Sequence, residues 1–243
     1  MLIMGERNGL SRRLDSSELA LLEKTRLFAH LDSEGLRQLA ARASLRRYRR
    51  REVVFREGDQ GDWLFVVASG RLKVVVSSAQ GNEMVLAALT PADTFGELAL
   101  VDGEARSATV ETLTASVLLV VTRAAFLDVL HERPALVEGL LESLGGLIRR
   151  LTDQTSDLVF LDLPGRVAKL LLNLASGGDT APADGPVIDV YFTQTEIAKM
   201  VGGSRQSVNQ ILRTFESAGY IETVGHSIRI LRADTLRRRA GYA

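Results

Sequence analysis

The sixteen residues FGELALVDGEARSATV (95–110) set Gly96-Glu97 and Arg106-Ser107 on either side of one apolar turn and a glycine bend. Glu97 and Arg106 have opposite sign and could simply pair on a surface. They could also be two halves of a pocket, one for an anion and one for a hydroxyl. A phosphate needs fixed backbone N–H donors and one strong cation. GELAL reads as one short helical turn whose N-terminus faces inward, and Gly96 lets a ligand approach the backbone closely. Arg106 can supply the cation, and Ser107 a hydroxyl and an N–H. Glu97 can accept from a sugar hydroxyl. A cyclic nucleotide carries a phosphate and a hydroxyl at about this separation.

A second constellation lies in FTQTEIAKMVGGSRQSVNQILRTFESAG. Thr193 with Glu196 three residues later is a capping box. Ile197, Met200 and Val201 form the inner face of a first helix, Gly202-Gly203 a tight turn, and Ser204 the cap of a second helix. Val208, Ile211, Leu212 and Phe215 face inward from that helix, and Gly219 ends it. YIETVGHSIRIL follows as a hairpin turning near Gly225-His226. This is a helix-turn-helix with a wing. Its second helix would enter the major groove of double-stranded DNA with its N-terminal residues on base edges. Arg205 suits guanine, and Gln206, Asn209 and Gln210 suit adenine. With Thr193, Ser204 and Ser207 these are the candidate DNA contacts.

The elements that must position these groups show in the hydrophobic pattern. Residues 16–29 and 33–44 have helical apolar spacing. From Tyr48 to Val121, short β-rich runs are separated by glycine turns, which indicates an antiparallel sandwich or roll. Arg123 to Leu161 reads as helical again. Within it Leu140, Leu144, Leu147, Leu151, Gln154, Leu158 and Leu161 recur at alternating steps of four and three, a heptad seam that a coiled-coil homodimer would bury. Gly145-Gly146 inside this helix marks either a close helix approach or a soft point. Pro164 should break the long helix. The expected fold is α+β: an N-terminal antiparallel, jelly-roll-like β-roll with leading helices (1–133), a dimerisation helix (134–163) and a winged helix-turn-helix (164–243).

Composition narrows the classes. The chain has 243 residues, 46% hydrophobic and 25% charged, as in an ordinary globular protein of one large or two small domains. Cysteine is absent, which removes disulfides, thiolate-held iron–sulfur clusters and cysteine nucleophiles. His30, His131 and His226 are scattered, so a histidine metal site or Ser-His-Asp triad has no support and the chain reads as no enzyme. No run of about eighteen apolar residues suggests a membrane span. The N-terminus lacks the apolar region of a secretion signal, so a cytoplasmic location is expected. Residues 164–243 carry ten Lys/Arg against seven Asp/Glu, and the rest twenty against twenty-three. The C-terminal part is thus modestly basic, as suits DNA.

The ordered set EGDQGDWLFVVASGRLKV, FGELAL…RSATV, FLDLPGRVAKLLLNLA and TQTEIAKMVGGSRQSVNQIL resembles the family of the cyclic-AMP receptor protein and the fumarate-nitrate regulator, from about Leu27 to Leu231. The resemblance implies a ligand-controlled, dimeric transcription regulator; the alternative is a regulator of the same fold that binds DNA without a nucleotide or senses another small ligand. Gly96, Arg106 and Ser107 would hold the cyclic phosphate and Glu97 the ribose 2′-hydroxyl, with Leu98 in the same turn. Leu86 and Leu89 would lie near the purine. Cyclic AMP would be the effector, with cyclic GMP as the other candidate, and no metal, haem or iron–sulfur cluster. Where the family places polar residues of the dimer helix against the base, one from the partner subunit, this sequence has Leu151 and Thr152. Arg205 fits the family's recognition helix, whereas Gln206 and Gln210 replace an acidic and a basic residue. The loop around Gly178–Gly185 resembles a region that touches RNA polymerase.

Overall fold

The computed structural model describes residues 16–176, 187–189, 192–224 and 227–242. Two compact units divide within one long helix, between Ile148 and Arg149, with Glu83–Val85 at the start of one strand counted in the second unit. In the first unit, helix α1 (Ser16–Lys24), a 3₁₀ turn (Arg26–Phe28) and helix α2 (Ser33–Ala41) precede the strands. The strands are β1 (Ala43–Tyr48), β2 (Val53–Phe55), β3 (Trp63–Ser69), β4 (Leu72–Ser77), β5 (Glu83–Leu89), β6 (Thr94–Phe95), β7 (Thr109–Thr112) and β8 (Ser116–Thr122). Helix α3 (Glu97–Asp102) sits between β6 and β7, and α4 (Arg123–Glu132) follows β8. Two four-stranded sheets result, in the orders β1-β8-β3-β6 and β2-β7-β4-β5, with antiparallel pairing in the ladders.

Successive side chains of a strand point to opposite faces, and in the middle of β3 and β8 both sets are apolar and buried. Leu64 and Val66 of β3 and Leu119 and Val121 of β8 join a core shared with the helices, including Leu27, Phe28, Leu39, Phe126, Leu136 and Leu140. The alternate residues Phe65, Val67, Leu118 and Val120 join a second core with Val54, Phe55, Leu72, Leu89, Phe95 and Val110. One sheet is therefore buried on both faces, between helices on one side and the roll interior on the other.

The long helix differs from the reading above in two ways. Arg123 to Leu161 is not one helix: α4 stops at Glu132, and α5 runs from Ala135 to Phe160. Pro134 disfavours the helical region for the residue before it, and Arg133 indeed lies at φ −133°, ψ 84°. The heptad residues are also divided between a buried and an exposed face. Leu140 is buried in the first unit's core and Leu144 packs against it, Leu161 lies beyond the helix, and Val137, Leu141, Ile148, Leu151 and Leu158 are exposed large apolar residues. Those residues, with exposed Thr155, again follow heptad steps. The close approach lies at Gly139, where a Cβ would collide with the Leu27 carbonyl; at Gly146 the neighbour is the flexible end of Arg26, 2.8 Å from an added Cβ.

In the second unit α6 (Leu163–Ser176) opens with Pro164 in its first turn, where the missing N–H costs nothing. Asp162 Oδ1 accepts from the Gly165 N–H at 2.8 Å. Then come β9 (Val187–Asp189), α7 (Gln194–Val201), α8 (Arg205–Ser217), β10 (Ile221–Val224), β11 (Ser227–Ile230) and α9 (Ala233–Arg239). The strands form a sheet in the order β10-β11-β9. The expected wing is thus a three-stranded sheet rather than a lone hairpin. Its turn at Gly225-His226, and the loop around Gly178–Gly185, fall outside the described residues. Val167, Ala168, Leu171, Ile197, Val208, Phe215, Ile221, Ile230 and Leu236 are almost fully buried and form this unit's interior.

Candidate functional site

In the roll, α3 is bounded by two left-handed glycines, Gly96 at φ 87° and Gly103 at φ 74°. Gly96 is required twice over. Its φ is one that L side chains rarely adopt, and a Cβ there would stand 2.6 Å from Arg106 Nη1 and 3.1 Å from the Trp63 carbonyl oxygen. Arg106 is 4% exposed. Its Nη1 donates to the Gly96 carbonyl at 2.8 Å and its Nη2 to the Trp63 carbonyl at 2.6 Å. The guanidinium lies over the Phe55 ring, 4.3 Å from the centroid, and Phe55, Phe65 and Phe95 form a contiguous aromatic cluster. The main chain is fixed as well: Arg106 N–H donates to the Asp59 carbonyl at 2.8 Å, and Gly58 N–H to the Arg106 carbonyl at 2.9 Å.

This arrangement holds a cation where water is scarce. Burial pushes the Arg106 guanidinium below the ordinary arginine range, while Asp62, Glu97 and Asp59 oppose the shift. Arg106 Nε is buried and has no hydrogen-bond partner among the described residues, and an unsatisfied buried donor of a charged group is costly. Glu97, 8% exposed, is the first residue of α3. Ser107 is exposed, and Leu98 is half-buried. In β5 Leu86 is half-buried, whereas Leu89 belongs to the roll core. The structure thus brings Gly96, Glu97, Leu98, Arg106 and Ser107 into one turn-and-loop pair. Leu151 and Thr152 are exposed on α5, beyond the division between the units. The sequence reading missed Trp63, Phe55 and Phe65 as supports of Arg106. Their positions carry no sequence signal beyond β alternation.

The helix-turn-helix is built from its caps. Thr193 Oγ1 accepts from Glu196 N–H at 3.2 Å, and Glu196 Oε2 accepts from Thr193 N–H at 2.8 Å. Gly202 ends α7 at φ 64°. Ser204 Oγ accepts from Ser207 N–H at 3.0 Å and lies 2.8 Å from Ser207 Oγ. Three of the candidate DNA contacts, Thr193, Ser204 and Ser207, are therefore already engaged in capping. Arg205, Gln206 and Gln210 are exposed and Asn209 half-buried. Ser204, Arg205, Gln206 and Asn209 line a common concavity. Arg213, four residues after Asn209, is also exposed and shares that face; the sequence reading passed over it although the spacing was visible. Thr223 N–H donates to Glu216 Oε1 at 3.0 Å, tying the wing to α8.

A roll with a buried arginine at a glycine turn, and a capped helix-turn-helix beside a wing, together define a ligand-responsive DNA-binding regulator. Residues 45–133 match the cyclic nucleotide-binding domain, and residues 165–239 the Crp-like helix-turn-helix domain. Over 220 residues the chain is 34% identical to a CRP-like cAMP-activated global transcriptional regulator of Mycobacterium tuberculosis, spanning 90% of this chain and 98% of that protein. It is 30% identical over 205 residues to the cAMP-activated global transcriptional regulator Vfr of Pseudomonas aeruginosa, spanning 82% and 92%. A CRP-family transcriptional regulator of known structure from Thermus thermophilus aligns with a TM-score of 0.68 at 27% identity, covering 82% of this chain and 97% of that one. FixK2 from Bradyrhizobium japonicum shares the fold, with a TM-score of 0.73 at 19% identity and coverage of 81% and 96%.

The chain belongs to the CRP-like family of transcriptional regulators. Its relatives are transcriptional regulators. Among the described residues no helix is long and apolar enough to cross a membrane, and no group of side chains could hold a metal ion.

Proposed function

We propose that this regulator responds to cyclic AMP bound in the roll and acts on DNA as a homodimer. The observation that carries the reading is Arg106: a guanidinium 4% exposed, aimed at a left-handed glycine turn, with a buried Nε that lacks a partner among the described residues. An anion completes such a group. Gly96, Arg106 and Ser107 would take the cyclic phosphate, Glu97 the ribose hydroxyl, and Leu86, Leu89 and Leu98 the apolar surroundings. The names of the relatives favour cyclic AMP. Thr152, with Leu151 beside it, would meet the base. A hydroxyl can donate or accept, so cyclic GMP should bind within about 1–2 kcal/mol of cyclic AMP, the worth of one ordinary hydrogen bond.

The second copy would dock on the exposed heptad stripe of α5, from Val137 to Leu158. A two-fold dimer presents two recognition helices to half-sites one DNA turn apart. Arg205, Gln206, Asn209, Gln210 and Arg213 would then face the groove. Ligand shifts the dimer toward the DNA-binding geometry only by its differential affinity for the two geometries. Contact with RNA polymerase and work in the cytoplasm belong to the same reading. Calorimetric titration with cyclic AMP and cyclic GMP tests it. Saturable binding of at least one nucleotide, weakened at least about tenfold in Arg106→Ala, is expected; no binding of either would sink it.

A further inference from the structure

We propose that Arg123 is the positioning residue that couples the ligand cassette to the helices that follow it. The proposal rests on the reading that Gly96 to Ser107 hold the cyclic phosphate. Helix α3 has six residues between two left-handed glycines, and a helix so short has no stability of its own. Its position is set by whatever holds its ends. At the front, Arg106 Nη1 grips the Gly96 carbonyl at 2.8 Å. At the back, Arg123 Nε donates to the Leu100 carbonyl at 3.1 Å. The next N–H that could serve Leu100, that of Glu104, turns instead to Asp102 Oδ1 at 2.9 Å. Arg123 therefore satisfies a terminal carbonyl of a helix whose C-terminal end favours a cation.

Arg123 does more than cap. It is the first residue of α4, whose N-cap Thr122 accepts from Ala125 N–H at 3.2 Å. Its own N–H donates to the Asp62 carbonyl at 2.8 Å, closing the loop whose Gly58 and Asp59 clasp the Arg106 main chain. One residue thus joins the cassette helix, the loop that fixes the phosphate cation, and α4. Only Arg133 and Pro134 separate α4 from α5. A ligand that moves α3 or Arg106 must move Arg123 or break its bonds, and moving it shifts the first turn of α4.

The test compares wild type with Arg123→Ala and Arg123→Lys. The measured quantity is the ratio of DNA affinities with and without saturating cyclic AMP, by fluorescence anisotropy on a duplex selected in vitro. Calorimetry gives cyclic AMP affinity in parallel. Arg123→Ala should cut the ratio by about fivefold or more while nucleotide-free DNA affinity stays within about twofold. Arg123→Lys, which keeps a charged donor, should restore most of the ratio. An unchanged ratio in Arg123→Ala overturns the proposal, as does an equal fall in nucleotide-free DNA affinity, which marks general damage. If Arg123→Ala does not fold, Arg123→Gln decides by the same ratio: a clear cut supports the coupling role and an unchanged ratio overturns it. Wild type that binds no cyclic AMP would instead remove the underlying ligand reading.

Discussion

The cassette and the recognition helix use arginine in opposite ways. Arg106 is 4% exposed and gives two of its donors to backbone carbonyls, whereas Arg205 stands exposed in the first turn of a capped helix. A small anion in the roll must be desolvated, so its cation is fixed in advance where the local dielectric is low. DNA brings its own large surface and removes water on arrival, and the helix-turn-helix fixes its backbone through caps while the polar side chains at the start of α8 stay exposed. Preorganisation therefore lies in the side chain at one site and in the helix termini at the other. Substitutions should separate the two: in the cassette, function and stability should fall together, and in the recognition helix they should fall apart.

The largest effect is expected outside both regions, on the helix they depend on. Ile148→Glu places a charge on the exposed stripe of α5. In the proposed dimer both copies of this side chain would be buried, and losing them removes about 3–6 kcal/mol, so analytical ultracentrifugation should show a mainly monomeric species at micromolar concentration. Leu147→Glu, on the seam read from the sequence, should weaken the dimer less. The reverse order would restore the original seam.

Next comes Arg106→Ala. Loss of a charge-assisted contact costs about 1.5–3 kcal/mol, so cyclic AMP affinity should fall about tenfold to 150-fold by calorimetry. Because the Gly96 and Trp63 carbonyls lose their donor as well, the melting temperature of the roll should drop in the same variant. Retained thermal stability would show that the carbonyl contacts matter less than the geometry suggests. Arg205→Ala should cost about 1–3 kcal/mol of base discrimination at one position in each half-site, with no change in melting temperature. In vitro selection would read the consensus, and an unchanged one would remove Arg205 as a base reader. The smallest effect belongs to Ser204→Ala, which should lower stability by about 0.5–2 kcal/mol as a lost cap while leaving the consensus intact. A changed consensus would mean that Ser204 reads DNA rather than capping α8.

These regions also differ in how far they were legible. The caps, the Gly202 turn and the buried Val208 and Phe215 follow from local rules that act within four residues, and the sequence carries them openly. The cassette was legible as a set of residue types, but not in its support: Trp63 and Phe55 reach Arg106 from forty or more residues away, and nothing in their spacing announces it. On α5 the sequence is ambiguous because the helix carries two apolar faces offset by one residue, and Leu144, Leu151 and Leu158 fit heptad steps on either. Only the burial of Leu140 in the first unit's core decides which face turns inward. The contribution of β9 to the wing rests on a strand pairing with β11 across about forty residues, which periodicity does not encode.

The central claim is that a cyclic nucleotide held by Arg106 controls DNA binding. The most direct measurement is fluorescence anisotropy of an in vitro-selected palindromic duplex, titrated with wild type and Arg106→Lys at fixed salt, with and without cyclic AMP. A lysine keeps the charge but lacks the fork that grips Gly96, Trp63 and a phosphate together. Cyclic AMP should raise the DNA affinity of wild type at least about fivefold, within the usual range of coupling between sites, and leave Arg106→Lys near its nucleotide-free affinity. Equal DNA affinity of wild type with and without the nucleotide, or an undiminished response in Arg106→Lys, would contradict it.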